Sequence, residues 1–289
     1  MLNLDLGDQE WTSMVQGDLV EKLEIIREDR CENVFAIDDE MPPLIAEDES
    51  PQQQEEIELP WELDEESWQA IDDVKGGPLV IGDVIAARKT EMKYVQGRRV
   101  YKYSTKTECR RVTGKEPVKV RWVDTLKDDG VRARLVAMEF RRKHEAAIFA
   151  GTPPLESMRI LARIGAQGME DEEPTCILNL DIKRAHFYAK AKRAVFVQLP
   201  PEDPMSMDPE ACGELLYSMY GTRDAASNWE EEYSQFLVEE LNFVKGVACP
   251  CHFYNEGEQI RILVHGDDFM ATGTESKLRA FVKKCVEQI

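Results

Sequence analysis

The register of apolar and polar positions changes at Gly76 and divides the chain in two. Before it, apolar residues come in short clusters, Leu23 to Ile26 and Val34 to Ile37, on a polar background. That pattern predicts a largely disordered segment with at most one marginal helix. After it, Pro78 to Ala86, Val100 to Tyr103 and Val118 to Val123 read as strands. Asp128-Asp129-Gly130 is a turn signal between two such runs, so residues 118–138 predict a hairpin. Thr152-Pro153-Pro154 supplies a helix cap with proline in the first turn. Leu155, Met158, Leu161 and Ala162 follow at helical spacing, and Gly165 and Gly168 are expected to close that helix.

Further on, Cys176 to Leu180 is a short apolar strand ending at Asp181, and Val195 to Leu199 is another. Residues 224–241 predict an amphipathic helix with Ala225, Trp229, Tyr233, Phe236, Leu237 and Leu241 on one face. Cys251 to Tyr254 and Gln259 to Val264 form a hairpin around Asn255-Glu256-Gly257-Glu258, and Phe269 to Thr272 resumes strand character. Leu278, Phe281, Val282, Cys285 and Ile289 make a last helical stripe, and no internal repeat is present. The order from residue 176 is strand, helix, strand, strand, helix. The fold class is therefore α+β, one strand short of a split βαβ (ferredoxin-like) sandwich. That layout hosts many functions and selects none.

Composition sharpens the division. With 43% hydrophobic residues over 289 positions, the chain affords a core. It has no apolar run of membrane-spanning length and no signal peptide, so an intracellular protein with no membrane partner is expected. The net charge of -20 belongs to residues 1–75, which hold 24 Asp/Glu and 4 Lys/Arg; the remainder holds 32 of each. The leading segment reads as a solvating spacer or a tether. Residues 84–143 carry 18 Lys/Arg against 7 Asp/Glu, which suits either phosphate contacts or a solvated charged surface. The seven cysteines are scattered and odd in number, so free thiols are expected. Cys249, Cys251 and His252 invite a zinc reading, but no second ligand pair follows, and a buried strand is the better reading.

Asp181 ends an apolar strand, while Asp267 and Asp268 sit in a tight turn between two others. Carboxylates that converge at strand ends repel one another unless a cation intervenes. Hard oxygen ligands suit Mg²⁺, and two such ions about 4 Å apart are the device of nucleotidyl transfer. Gly266 permits the tight turn and the close approach of a substrate. The alternative is that Asp-Asp in a hairpin turn is simply solvated.

From about residue 115 onward the chain resembles the reverse transcriptase region of copia-type LTR retrotransposon polyproteins. The matching blocks come in order: Arg121-Trp122-Val123; Arg132 to Ala137; Thr152-Pro153-Pro154 with Met158 to Leu161; Leu180 to Phe187; Val195 to Pro200; Tyr220 to Ala226 with Trp229; and His265-Gly266-Asp267-Asp268. The resemblance implies three regions: an acidic low-structure segment over 1–75, fingers over 76–174 and an incomplete palm over 175–289. It implies that Asp181, Asp267 and Asp268 are catalytic and hold two Mg²⁺ ions, or Mn²⁺, with help from the Ile182 carbonyl.

It further implies that Arg132 and Arg134 meet the incoming triphosphate, bidentately as arginine does. Ala185, His186 and Asp224 would line the nucleotide, and Gly221, Arg223 and Gly266 the template and primer. Trp229 reads as core rather than as a base-stacking residue. Some positions depart from the family: His186 stands where an aromatic residue screens the sugar 2′ position, Asp224 replaces Gln, and Ala226 replaces Pro. The family's thumb, RNase H and integrase are expected to be absent from this chain.

The expected function is RNA-directed DNA polymerase acting on an RNA template, a DNA primer and deoxynucleoside triphosphates, in cytoplasmic virus-like particles or the nucleus. The alternatives are a non-catalytic nucleic-acid-binding relic of such an element and, more remotely, a two-metal cyclase or nuclease.

Overall fold

The computed structural model describes residues 25–26, 35–37, 70–128, 130–140, 151–167 and 173–288. In chain order the elements begin with strands β1 (Ile25–Ile26) and β2 (Phe35–Ile37), helix α1 (Ile81–Gly97), β3 (Tyr101–Thr105) and α2 (Lys106–Thr113). Strands β4 (Val120–Lys127) and β5 (Gly130–Ala137), helix α3 (Leu155–Gln167) and β6 (Thr175–Ile182) follow. Next come β7 (Phe196–Val197), β8 (Ala211–Leu215), helix α4 (Ala225–Gln235), β9 (Val244–Lys245) and β10 (His252–Asn255). β11 (Ile260–His265), β12 (Asp268–Thr274) and α5 (Glu275–Gln288) complete the set. The chain packs as two compact units, each built from separated stretches.

The first unit combines Phe149–Tyr188 and Trp229–Ile289 with residues 1–42. Its sheet runs β6-β12-β11-β10-β9, antiparallel throughout, and β1 and β2 pair with the outer side of β6. The apolar clusters near residues 25 and 36 thus contribute strands. The rest of the expectation for residues 1–69 lies outside the described residues.

β6 alternates strictly, with Cys176, Leu178, Leu180 and Ile182 buried. Those residues share a sheet face with Phe269 and Ala271 of β12 by the cross-strand register. Helix α4 supplies Trp229 and Tyr233 to that face, and both rings meet Phe269 edge-on, at 6.4 and 5.4 Å. On the opposite face Leu161 of α3 packs with Leu263 and Met270.

Gly165 does not end α3 as its identity suggests. It lies inside the helix, where an added Cβ would stand 2.6 Å from Ile177 Cγ1 and 2.9 Å from Thr272 Oγ1. Close packing on the sheet, rather than a C-terminal cap, explains this glycine. The buried stripe of α3 is Ser157, Leu161 and Gly165 at four-residue spacing, leaving Leu155 and Met158 exposed.

The second unit contains Pro43–Ile148 and Ala189–Asn228. The expected strand over Pro78 to Ala86 is instead the start of α1. Val84, Glu91, Met92 and Val95 are its buried positions, a helical spacing that extends past the apolar run itself. The hairpin expected over 118–138 is present as β4 and β5, registered from Val120 opposite Ala137 to Lys127 opposite Gly130. A second sheet, β3-β8-β7, backs it through a bridge between Val118 and Val197. Helix α2 is capped at both ends: Thr105 Oγ1 accepts from the Glu108 amide, and Gly114 closes it at φ 67°.

A buried charge network stitches this unit together. The Arg88 guanidinium binds Asp124 at 2.6 Å and Glu202 at 3.2 Å. It also stacks 5.3 Å from the centre of the Trp122 ring, whose indole N–H donates to Glu202 at 2.8 Å. Tyr101 and Tyr103 both donate to Asp203, at 2.5 and 3.3 Å, and Asp203 itself is wholly buried. Burial, then the Asp203 charge and the bond to it, raise the Tyr103 phenol to about 12.

Candidate active site

The site is built where β6 meets the turn between β11 and β12. Asp181 and Asp268 are direct partners across β6 and β12, and Asp268 in turn pairs with His265 across the turn. Direct partners in a ladder carry their side chains on one face. His265, Asp268 and Asp181 therefore form a row on the sheet face that α3 covers elsewhere. Gly266 and Asp267 make the two-residue turn, with Gly266 at φ 68°, the positive value that favours glycine there.

Two bonds fix the turn from below. The Ile182 amide donates to the Asp267 carbonyl at 3.0 Å, and the Trp229 indole N–H donates to the Gly266 carbonyl at 2.8 Å. Trp229 is 3% exposed, a core residue as expected, and its polar tip anchors the acidic turn.

The electrostatics follow from this crowding. Partial desolvation, and then the neighbouring Asp267 charge, raise the Asp268 carboxyl above its ordinary range; His265 opposes the shift. These hard oxygen donors suit a divalent cation such as Mg²⁺. The side chains are not already drawn into a cage, since among the described residues no group of three His, Cys, Asp or Glu is close enough to hold a metal ion. The backbone places the Asp181 and Asp268 carboxylates beside one another. Immediately beyond β6, Arg184 takes φ 53° and starts the short helical turn Ala185–Tyr188. Ala185 and Phe187 are fully buried there, and His186 is partly exposed between them.

The remaining expected residues lie in the second unit. Arg132 and Arg134 occupy alternate positions of β5, on the face opposite buried Ala133, Leu135 and Ala137. The Arg134 guanidinium stands 5.4 Å from the Tyr220 ring centre. Gly221, at φ 81°, is pressed against the end of the same strand, where an added Cβ would meet the Ala137 carbonyl oxygen at 1.9 Å. The Ala137 amide donates to the Tyr220 carbonyl at 2.7 Å, and the Glu139 amide to Gly221 at 3.3 Å. Asp224 is held by Arg193 at 2.8 Å, and Arg193 also grips both carboxylate oxygens of Glu139. The Arg223 amide donates to Glu139 at 3.0 Å.

A family model described as "Reverse transcriptase (RNA-dependent DNA polymerase)" matches residues 103–288. The chain belongs to this reverse transcriptase family. The Retrovirus-related Pol polyprotein from transposon TNT 1-94 of Nicotiana tabacum is 25% identical over 213 residues, covering 69% of this chain and 15% of that protein. The Transposon Ty1-NL2 Gag-Pol polyprotein of Saccharomyces cerevisiae is 29% identical over 94 residues, 32% of this chain and 5% of that protein. The chain thus spans a small part of the length of these relatives. Both are transposon Pol proteins, in keeping with the copia-type resemblance.

Arg88, Glu139, Arg193 and Glu202 carry no local signal in the sequence. Each is a charged residue whose partner lies far along the chain: Arg88 and Glu202 are 114 positions apart, Arg193 and Glu139 54. Cys251 is buried against Leu161 and Leu263, but β10 starts only at His252, so both Cys249 and Cys251 precede the strand expected to carry them. No helix among the described residues is long and apolar enough to cross a membrane.

Proposed function

We propose that the chain carries the catalytic edge of an RNA-directed DNA polymerase that works by two-metal nucleotidyl transfer. The observation that supports this most is the placement of Asp181 directly opposite Asp268, with the intervening turn residue Asp267 bonded through its carbonyl to Ile182. Asp181 and Asp267, with the Ile182 carbonyl and Asp268 beside them, would hold the cations. When bound, two Mg²⁺ or Mn²⁺ ions activate the primer hydroxyl and offset charge on the leaving pyrophosphate.

The chain's own residues do the rest. Arg132 and Arg134 offer forked donors to the triphosphate of an incoming deoxynucleotide. Ala185 and His186 flank its sugar. Gly221, Arg223 and Gly266 shape the passage of RNA template and DNA primer, and Asp224 contributes by holding its turn in place through Arg193.

Primer extension on an RNA template tests this directly. Mg²⁺-dependent deoxynucleotide incorporation should fall by at least about a thousandfold, several kcal/mol of barrier, in Asp181→Asn or Asp267→Asn. Unchanged incorporation in those variants would refute the assignment. Salt-sensitive binding of primer–template with no turnover in the parent chain would favour a non-catalytic nucleic-acid-binding role instead.

A further inference from the structure

We infer that Arg193 is a positioning residue, a clip that fixes the end of the arginine-bearing β4–β5 hairpin against the turn at residues 220–224. Glu139, Arg193 and residues 220–224 all belong to the second unit. Glu139 lies just beyond β5, and both of its carboxylate oxygens accept from the two terminal nitrogens of Arg193. One of those nitrogens also reaches Asp224 at 2.8 Å. Three separated stretches therefore meet at one guanidinium.

Two backbone bonds depend on that meeting. The Ala137 and Glu139 amides donate to the Tyr220 and Gly221 carbonyls, joining hairpin and turn, and Glu139 also accepts from the Arg223 amide. The carboxylates of Glu139 and Asp224 are mostly buried, with side chains 16% and 13% exposed. Without Arg193, two negative charges would face each other across the joint and push it open. Lysine cannot replace the clip fully, because a point charge does not fork to two carboxylates. Arg193 itself touches no reacting atom in this reading; it acts by setting where β5 ends, and so where Arg132 and Arg134 stand.

The functional part of the inference rests on the proposal that Arg132 and Arg134 face a triphosphate, and the test separates the two. Hydrogen exchange is followed in the whole chain for the parent, Arg193→Lys and Arg193→Gln. The Ala137 and Glu139 amides should exchange at least about tenfold faster in Arg193→Gln, with Arg193→Lys between it and the parent, while β10–β12 stay protected. Parent-like protection at both amides in Arg193→Gln would overturn the clip. Should Arg193→Gln lose protection everywhere, Arg193→Lys decides: a loss confined to those amides supports the clip, and no loss or a uniform one overturns it. Titration with dATP and Mn²⁺ is the second readout. Weaker binding in Arg193→Gln, partly restored by Lys, supports the positioning role, and unchanged binding overturns it. A parent chain that binds no dATP would remove the triphosphate reading and leave the exchange result to judge the clip.

Discussion

Asp181 and Asp268 stand directly opposite each other in the antiparallel β6–β12 ladder, at the last paired position before the turn that carries Asp267. Like charges placed this way destabilise a sheet. The Asp268 carboxyl, raised by partial desolvation and by Asp267, therefore holds its proton more tightly in the folded chain than in the unfolded one. Stability from this group is fully present below the ordinary aspartate range and is lost as pH rises through the raised value. Asp268→Asn should accordingly stabilise the metal-free chain at pH 7, by less than about 1 kcal/mol because the residue keeps solvent contact, and should have no effect near pH 3. Urea unfolding at the two pH values checks this.

The Arg88 network gives a larger expectation. Asp124 and Glu202 expose only 7% and 4% of their side chains and share this one guanidinium. Arg88→Ala leaves both charges buried and should cost about 3–5 kcal/mol. Denaturant titration showing a loss under about 1 kcal/mol would mean that water replaces the arginine.

Gly221 and Gly266 both have positive φ but differ in what surrounds them. An added Cβ at Gly221 strikes the Ala137 carbonyl, whereas at Gly266 it meets nothing within 4 Å. Gly266→Ala should cost about 1–2 kcal/mol of backbone strain alone. Gly221→Ala should cost more, because the β5 end must also move, and thermal unfolding of the two variants ranks them.

In the proposed assignment His186 stands beside the sugar of the incoming nucleotide, in place of an aromatic ring. A smaller, more polar side chain should discriminate less against ribonucleotides. His186→Tyr is expected to raise the preference for deoxynucleotides over ribonucleotides, read from competing incorporation rates. An unchanged ratio would show that the residue does not screen the sugar.

What the sequence disclosed, and what it hid, follows from the range of each interaction. Asp181 stood out because β6 alternates cleanly up to it, and the His265–Asp268 turn because glycine and two acids interrupt two apolar runs. Both are local patterns. The apolar start of helix α1, Pro78 to Ala86, mimics a buried strand; its helical period shows only when Met92 and Val95 are included. Helix α2 is legible from Thr105 with Glu108 and a closing Gly114. Gly165 and Arg193 were hidden for another reason. Their roles are set by Ile177 and Thr272 in one case and by Glu139 and Asp224 in the other, partners that no window along the chain brings into view.

Asp181, Asp267 and Asp268 are proposed to gather around divalent cations. Fe²⁺ in place of Mg²⁺, with ascorbate and peroxide, cuts the backbone beside a bound ion, and mapping the cuts locates it. The account expects cuts near Asp181 and near the Asp267–Asp268 turn, both lost in Asp181→Asn and suppressed by excess Mg²⁺. Cuts confined to the acidic residues 1–75, or a pattern untouched by Asp181→Asn, would contradict it.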